Sequence, residues 1–548
     1  MPSVMFCILC FMYAGAFAGT SQVAPMDPEF LQHRGLSPEG LLIQTATRAG
    51  RMPTGYVPSP LDLSHVKPPR TITAAETDSA APSAYDLRSY GHVTPVRDQG
   101  PYGTCWAFGA LASLESSLLK AGRGNADLSE WHLANFAYKD EGDMLTGFTP
   151  DPLGPYSDPI FDQGGESWMS TAILSRWTGA VNEADRPYQS TRPWPANAAP
   201  LPSDPVSVYL ENVLYLGGTF DGPAVKNAIM TYGAVAVSMK WDSVNYSPYN
   251  ETHSSFYIPE KTSTGGHTVT LAGWDDNYPV TNFNIAPPSK GAWLVKNSWG
   301  ERWGDGGYFW LSYSDPNIKA PAVFLGSNGT NFKRVYQYDP NGWTGNFAPA
   351  SSETAWLANV FQASGPSEAG SAEVLEAVSF YAGASETSYR IEVRTNLSSP
   401  SHNPRNGVLA AEKEGVLPAA GYHTVKMPAA VLQEGSRFSI VLRLTTPGYK
   451  YPVPVEMPIE GYSEKAEAGS GQSFVSTDGT TWSDITGPLP ETNVCIKAFT
   501  SDNVTTAPPS APSGPENGGE GGGGGCSAAA MPPMALALAI PLLFLFRK

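Results

Sequence analysis

Residues 99–108 read Gln99-Gly100-Pro101-Tyr102-Gly103-Thr104-Cys105-Trp106-Ala107-Phe108, which sets one cysteine between a glycine-rich turn and a helix-forming run. From there Phe108, Leu111, Leu114 and Leu118 recur at three- and four-residue spacing and Gly122 supplies a stop, so the pattern predicts a helix over residues 105–121. A thiol at the first helical position faces the positive end of the macrodipole, which favours the thiolate. The chain has five cysteines. Cys7 and Cys10 lie in an N-terminal apolar stretch and Cys526 in a C-terminal tail, which leaves Cys105 and Cys495 for the folded body. A bridge between those two is conceivable, but no disulfide framework is expected, because Cys105 has the surroundings of a reactive thiol.

Far downstream come Gly265-Gly266-His267-Thr268-Val269 and then Lys296-Asn297-Ser298-Trp299-Gly300. With Pro95 to Gly100, the Gly164-Gly165 pair, Val181 to Tyr188 and Gly306-Gly307-Tyr308-Phe309, these segments resemble, in order, the papain-type cysteine peptidases. The resemblance covers residues 83 to about 315. It implies a two-lobed α+β papain-like fold and a set of roles. Cys105 is the nucleophile and His267 the base and later the acid. Asn297 accepts from one ring N–H and so turns the other ring nitrogen toward the sulfur. The Gln99 side-chain amide and the Cys105 backbone N–H supply donors to the oxyanion that develops as the carbonyl becomes tetrahedral. Trp299 covers the Asn-to-His hydrogen bond and excludes water, and it is placed with Gly164 and Gly165 in the substrate-binding set.

The departures are specific. Tyr102 stands where the family carries a disulfide cysteine, and Gly266 stands where Asp or Asn is common before the histidine. Cys105 and His267 are 162 residues apart, longer than the family's usual spacing of about 130 to 150. The leader lacks the long helical motif of papain zymogens, and its stretch Gly55-Tyr56-Val57-Pro58-Ser59-Pro60 reads as an extended segment able to lie along the cleft.

Around this centre the chain divides by composition. Residues 1–18 read as a signal peptide ending in Ala16-Phe17-Ala18, although no basic residue precedes Arg34. Residues 19–82 form a leader or pro-segment, 83–330 the peptidase domain, and 331–500 a run of short strands that predicts an all-β sandwich, jelly-roll-like. Residues 501–525 are a Pro/Gly-rich linker and 526–548 an apolar tail with a basic end, which resembles the C-terminal sorting tails of Gram-negative surface proteins. The sandwich resembles lectin-like domains that follow bacterial papain-type domains; Trp343, Trp356, Tyr449, Tyr451 and Trp482 are expected to be exposed and available to stack on sugars.

The chain has 548 residues, 34 Lys plus Arg and 51 Asp plus Glu, so at a formal charge of −17 it lacks the basic footprint of a nucleic-acid binder. With 14 Trp, 25 Tyr and 22 Phe it is not a disordered chain. No metal-ligand spacing or phosphate-binding glycine loop is present, no cofactor is implied, and Asp275-Asp276-Asn277 reads as a solvated turn. The expectation is an exported, surface-anchored cysteine endopeptidase acting on polypeptides through a thioester on Cys105. It is placed at the cell surface or outer membrane of a Gram-negative bacterium or released, with a carbohydrate as a further ligand of the sandwich and the membrane met through the tail. The alternatives are a catalytically idle papain-like adhesin and an acyl-transferase using the same residues.

Overall fold

Helix Cys105–Lys120 begins where the sequence places it and is buried on almost every side, from Cys105 and Trp106 through Leu111 and Leu114 to Leu118. The structure, a computed structural model, describes residues 21–35, 53–69, 81–138, 161, 164–190, 206–241, 248–261, 266–368, 370–398 and 402–504. The signal peptide at 1–18, residues 505–525 of the linker and the whole 526–548 tail lie outside the described residues. Among the described residues no helix is long and apolar enough to cross a membrane.

The first lobe packs that helix against helices Glu130–Tyr138 and Ser167–Ser175. The last is capped by Glu166, whose carboxylate accepts from the N–H groups of Trp168 and Met169. The second lobe is an antiparallel sheet in which Val235–Lys240 pairs with Gly266–Asp275, and Gly266–Asp275 with Ala292–Lys296, which in turn pairs with Tyr308–Ser312. Asp221 caps helix Gly222–Tyr232 against this sheet. The lobes meet closely because Gly109 has no side chain: a Cβ there would lie 2.6 Å from Thr268 Cγ2. One turn of helix beyond Cys105 is thereby laid on the strand that carries His267.

The β-sandwich stacks two antiparallel sheets. One runs Val408–Leu417, Thr387–Thr395, Arg437–Thr445, Thr354–Gln362, Ser473–Ser476 and Ser483–Asp484. The other contains Arg334–Tyr336, Ile496–Val504, Ser371–Ala382 and Ala420–Leu432. Val378, Phe380, Ile391, Phe438, Ile440 and Leu442 fill the space between them. The two-lobed α+β domain followed by an all-β sandwich is therefore the architecture the chain adopts. One feature was not expected. Ala420–His423 pairs with Asn212–Tyr215, so a sandwich sheet continues into the sheet of the peptidase lobe.

The leader is structured where it touches both domains. Gln22–Val23 adds a strand to Phe347–Ala348, helix Pro28–Arg34 is capped by Asp27, and residues 53–61 are extended. Trp343 is not exposed: it is 2% accessible in the core, donating from Nε1 to Asn346 Oδ1 at 3.1 Å. Tyr449 is also buried, against leader residue His65. Trp356 lies under the guanidinium groups of Arg405 and Arg443. Cys105 and Cys495 are both free thiols, and Asp275 Oδ1 accepts from Asn277 N–H as a turn.

Candidate active site

Cys105 sits at the first position of its helix, fully buried, and the N–H of Thr268 donates to its Sγ at 3.3 Å. The neighbouring residue His267, also fully buried, is on the strand that faces the helix. His267 Nε2 bonds Asn297 Oδ1 at 2.8 Å. With the amide oxygen as acceptor, Nε2 carries the proton and Nδ1 presents a lone pair. Among the described residues Nδ1 has no hydrogen-bond partner. The Trp299 indole stacks on the imidazole at 4.5 Å between centroids and 17° between planes. It is itself held edge-on by Trp241 and Trp303. The site thus brings Cys105, His267, Asn297 and Trp299 together.

Gln99 is wholly buried. Its Oε1 accepts from Ser298 Oγ at 2.6 Å, and its Nε2 donates to the Tyr102 carbonyl at 2.7 Å. The Gln99 N–H also donates to the Ser298 carbonyl at 2.8 Å. Ser298, a residue that motif reading passes over, therefore fixes which end of the Gln99 amide carries the hydrogens. An NH2 group has two. One is engaged by Tyr102, which leaves one for a further acceptor.

The cleft holds the leader. Gly165 N–H donates to the Gly55 carbonyl at 2.8 Å, Val57 N–H to the Gly165 carbonyl at 3.0 Å and Tyr56 N–H to the Gly266 carbonyl at 3.1 Å. Trp299 Nε1 donates to the Pro53 carbonyl at 3.1 Å. Tyr56 pairs in parallel with Gly165 and antiparallel with Gly266, so the leader is a strand laid between the lobes. Glycine is required on both sides of it. A Cβ on Gly55 would come within 2.0 Å of the Gly103 carbonyl oxygen, and one on Gly266 within 2.5 Å of the Tyr56 ring. Gly164 and Gly165 likewise line this strand, and a Cβ on Gly164 would meet Val57 and Gly55. The half-buried Tyr56 ring lies 4.7 Å from Lys319 Nζ, and Lys319 is ion-paired to leader residue Glu29.

Burial changes the electrostatics expected from the helix terminus alone. Desolvation pushes the Cys105 thiol up to about 11, against the lowering effect of the N–H groups of Thr268, Gly55 and Trp106. Desolvation also drives His267 down to about 4, against the Asn297 hydrogen bond. Burial thus opposes the ionised form of both groups.

Chemically, the arrangement offers a sulfur, a base oriented by an amide, and a donor for developing negative charge, in a cleft that already accepts polypeptide main chain. Among the described residues no group of three or more His, Cys, Asp or Glu could hold a metal ion.

Comparison with known proteins agrees with this geometry. Residues 81–323 match the model of the papain family cysteine protease, and residues 335–500 that of the lectin like domain. The chain is 29% identical over 240 residues to a viral cathepsin of Heliothis zea nuclear polyhedrosis virus, across 43% of this chain and 54% of that protein. It is 30% identical over 243 residues to cysteine proteinase A of Leishmania mexicana, across 43% and 57%. It thus spans little more than half the length of these curated relatives. The crystal structure of the cysteine protease and lectin-like domains of Cwp84, a surface layer associated protein of Clostridium difficile, superposes with a TM-score of 0.71 at 25% identity, over 89% of this chain and 99% of that one. A second structure of that clostridial protease, after propeptide cleavage, gives 0.63 at 27% identity, over 77% and 100%. The chain carries a papain-family cysteine protease domain followed by a lectin-like domain.

Proposed function

We propose that this protein is a cysteine endopeptidase held inactive by its own leader. In this reading Cys105 attacks the scissile carbonyl, His267 takes its proton and later returns it to the leaving amine, Asn297 orients the imidazole, and Gln99 donates to the oxyanion. The observation that carries the reading is the leader main chain hydrogen-bonded between Gly165 and Gly266 at Cys105, because a cleft that binds one extended peptide through backbone groups can bind another. The clostridial relative's propeptide cleavage is consistent with release of the leader as the activating step. Release restores water to the cleft, lowers the thiol and raises the imidazole toward a thiolate–imidazolium pair.

The proposal extends to location. Export by residues 1–18 and retention by the tail around Cys526 place the enzyme at the cell surface, in keeping with the surface-layer association of the clostridial relative. That relative gives no support to a Gram-negative outer membrane. The lectin-like domain makes a surface carbohydrate a further ligand.

Hydrolysis of casein before and after proteolytic release of the leader tests the activity. Activity should appear on release and be abolished in Cys105→Ala. Turnover by the alanine variant at the wild-type rate would refute the reading.

A further inference from the structure

The leader does not end at the cleft. Beyond Tyr56 it is described without a break to Pro69, and along residues 61–69 it lies at the junction of the two domains. Gly218 N–H, from the peptidase lobe, donates to the Val66 carbonyl at 3.0 Å. Ser385 Oγ, from the lectin-like domain, donates to the Lys67 carbonyl at 2.6 Å. Between them the His65 imidazole stacks on Tyr449, with centroids 3.6 Å apart and planes at 6°, and bonds the Gly383 carbonyl from Nε2 at 2.7 Å. His65 is ten residues beyond Gly55 in sequence, a reach of at most about 35 Å.

Resting on the peptidase reading above, we infer that the lectin-like domain contributes a remote peptide subsite to the cleft. Tyr449 and the Gly383 carbonyl receive a flat, N–H-bearing ring from a polypeptide substrate that turns as the leader does at residues 63–66, about ten residues from the residue at Cys105. Two of the three contacts above are to leader carbonyls and can be made by any polypeptide. The third selects a side chain by shape, with a face to stack and an N–H aimed at a carbonyl. The platform stays in register when the leader leaves, because the pairing of Ala420–His423 with Asn212–Tyr215 makes one sheet of the two domains. A substrate entering along the leader's path meets the same slot.

The test uses the full chain after proteolytic release of its leader and three synthetic peptides: residues 53–61, residues 53–69, and residues 53–69 with His65→Ala. Fluorescence anisotropy should show the longer peptide binding about tenfold more tightly than the shorter, the sum of a ring stack and a hydrogen bond. The His65→Ala peptide should lose most of that gain, and so should Tyr449→Ala protein. For cleavage of a long, unfolded polypeptide with rings along its length, Tyr449→Ala should raise KM severalfold and leave kcat unchanged, with short fluorogenic peptides unaffected. Equal affinity of the three peptides overturns the subsite. A weakened leader peptide with an unchanged KM for the long polypeptide also overturns it, since the slot would then serve the leader alone. If wild-type protein hydrolysed nothing, the peptidase reading and the substrate role would fall together, while the affinities would still report whether the slot binds peptide.

Discussion

The leader is held in two places by different means. At Cys105 it is held by main chain, through three backbone hydrogen bonds to Gly165 and Gly266, with glycines cleared of side chains on both sides. On the lectin-like domain side chains join the backbone pairing of Gln22–Val23 with Phe347–Ala348: Phe30 is edge-on to Tyr462 at 5.8 Å, Arg34 is paired with Glu460 at 2.9 Å, and His65 is stacked on Tyr449. Main-chain contacts are indifferent to sequence except at Gly55, where a Cβ would meet the Gly103 carbonyl. Side-chain contacts are particular, and they give the leader an advantage over other peptides while it remains attached.

The sharpest way to separate the two is to disturb chemistry without touching the leader's grip. Gln99→Ala should lower kcat by about 10² to 10³, because the oxyanion it serves exists only near the transition state. KM should move little. A change confined to KM would return Gln99 to a purely structural role, bonded to Ser298 and Tyr102.

The converse disturbs the grip without touching chemistry. Gly55→Val adds a side chain where even a Cβ lies 2.0 Å from the Gly103 carbonyl oxygen, and backbone cannot swing aside as a side chain can. Seating this leader should cost about 10- to 100-fold in affinity. The uncleaved protein should then show substantial peptidase activity, measurable by fluorogenic peptide hydrolysis. Full inhibition by the valine leader would show that the lectin-like contacts alone cover the site.

A smaller effect comes from protons. Burial drives His267 down to about 4 in the covered site. If release turns the neutral thiol and imidazole into a thiolate–imidazolium pair, a proton passes from Cys105 to His267 and none is taken up. Leader affinity should therefore stay flat between about pH 7 and pH 5; an affinity that fell by about tenfold per pH unit would show that release leaves Cys105 a thiol while His267 gains a proton.

The catalytic half of the molecule was far more legible than the leader's seat. Gln99, Cys105, His267, Asn297 and Trp299 stand in short motifs whose order survives in the sequence, and helix Cys105–Lys120 follows its apolar spacing to within a residue. The extended character of residues 55–60 was readable from their prolines and glycine. What escaped was long-range: Ser298 orienting Gln99, Glu29 on Lys319, and the sheet shared through Ala420–His423, none of which has a local signature. Trp343 was misread because aromatic residues in a sandwich look alike in sequence whether they face solvent or the core. The macrodipole at Cys105 was legible because it is a local property, while the burial that opposes it comes from packing that no short stretch of sequence shows.

The central claim is that the leader covers a reactive Cys105. Peptide mapping by mass spectrometry after iodoacetamide treatment at pH 7 tests it directly, with the leader intact and again after its release. The account predicts slow labelling of Cys105 in the intact chain and labelling at least about 100-fold faster on release, with Cys495 unmodified in both. Equal Cys105 rates in the two forms, or preferential labelling of Cys495, would contradict it.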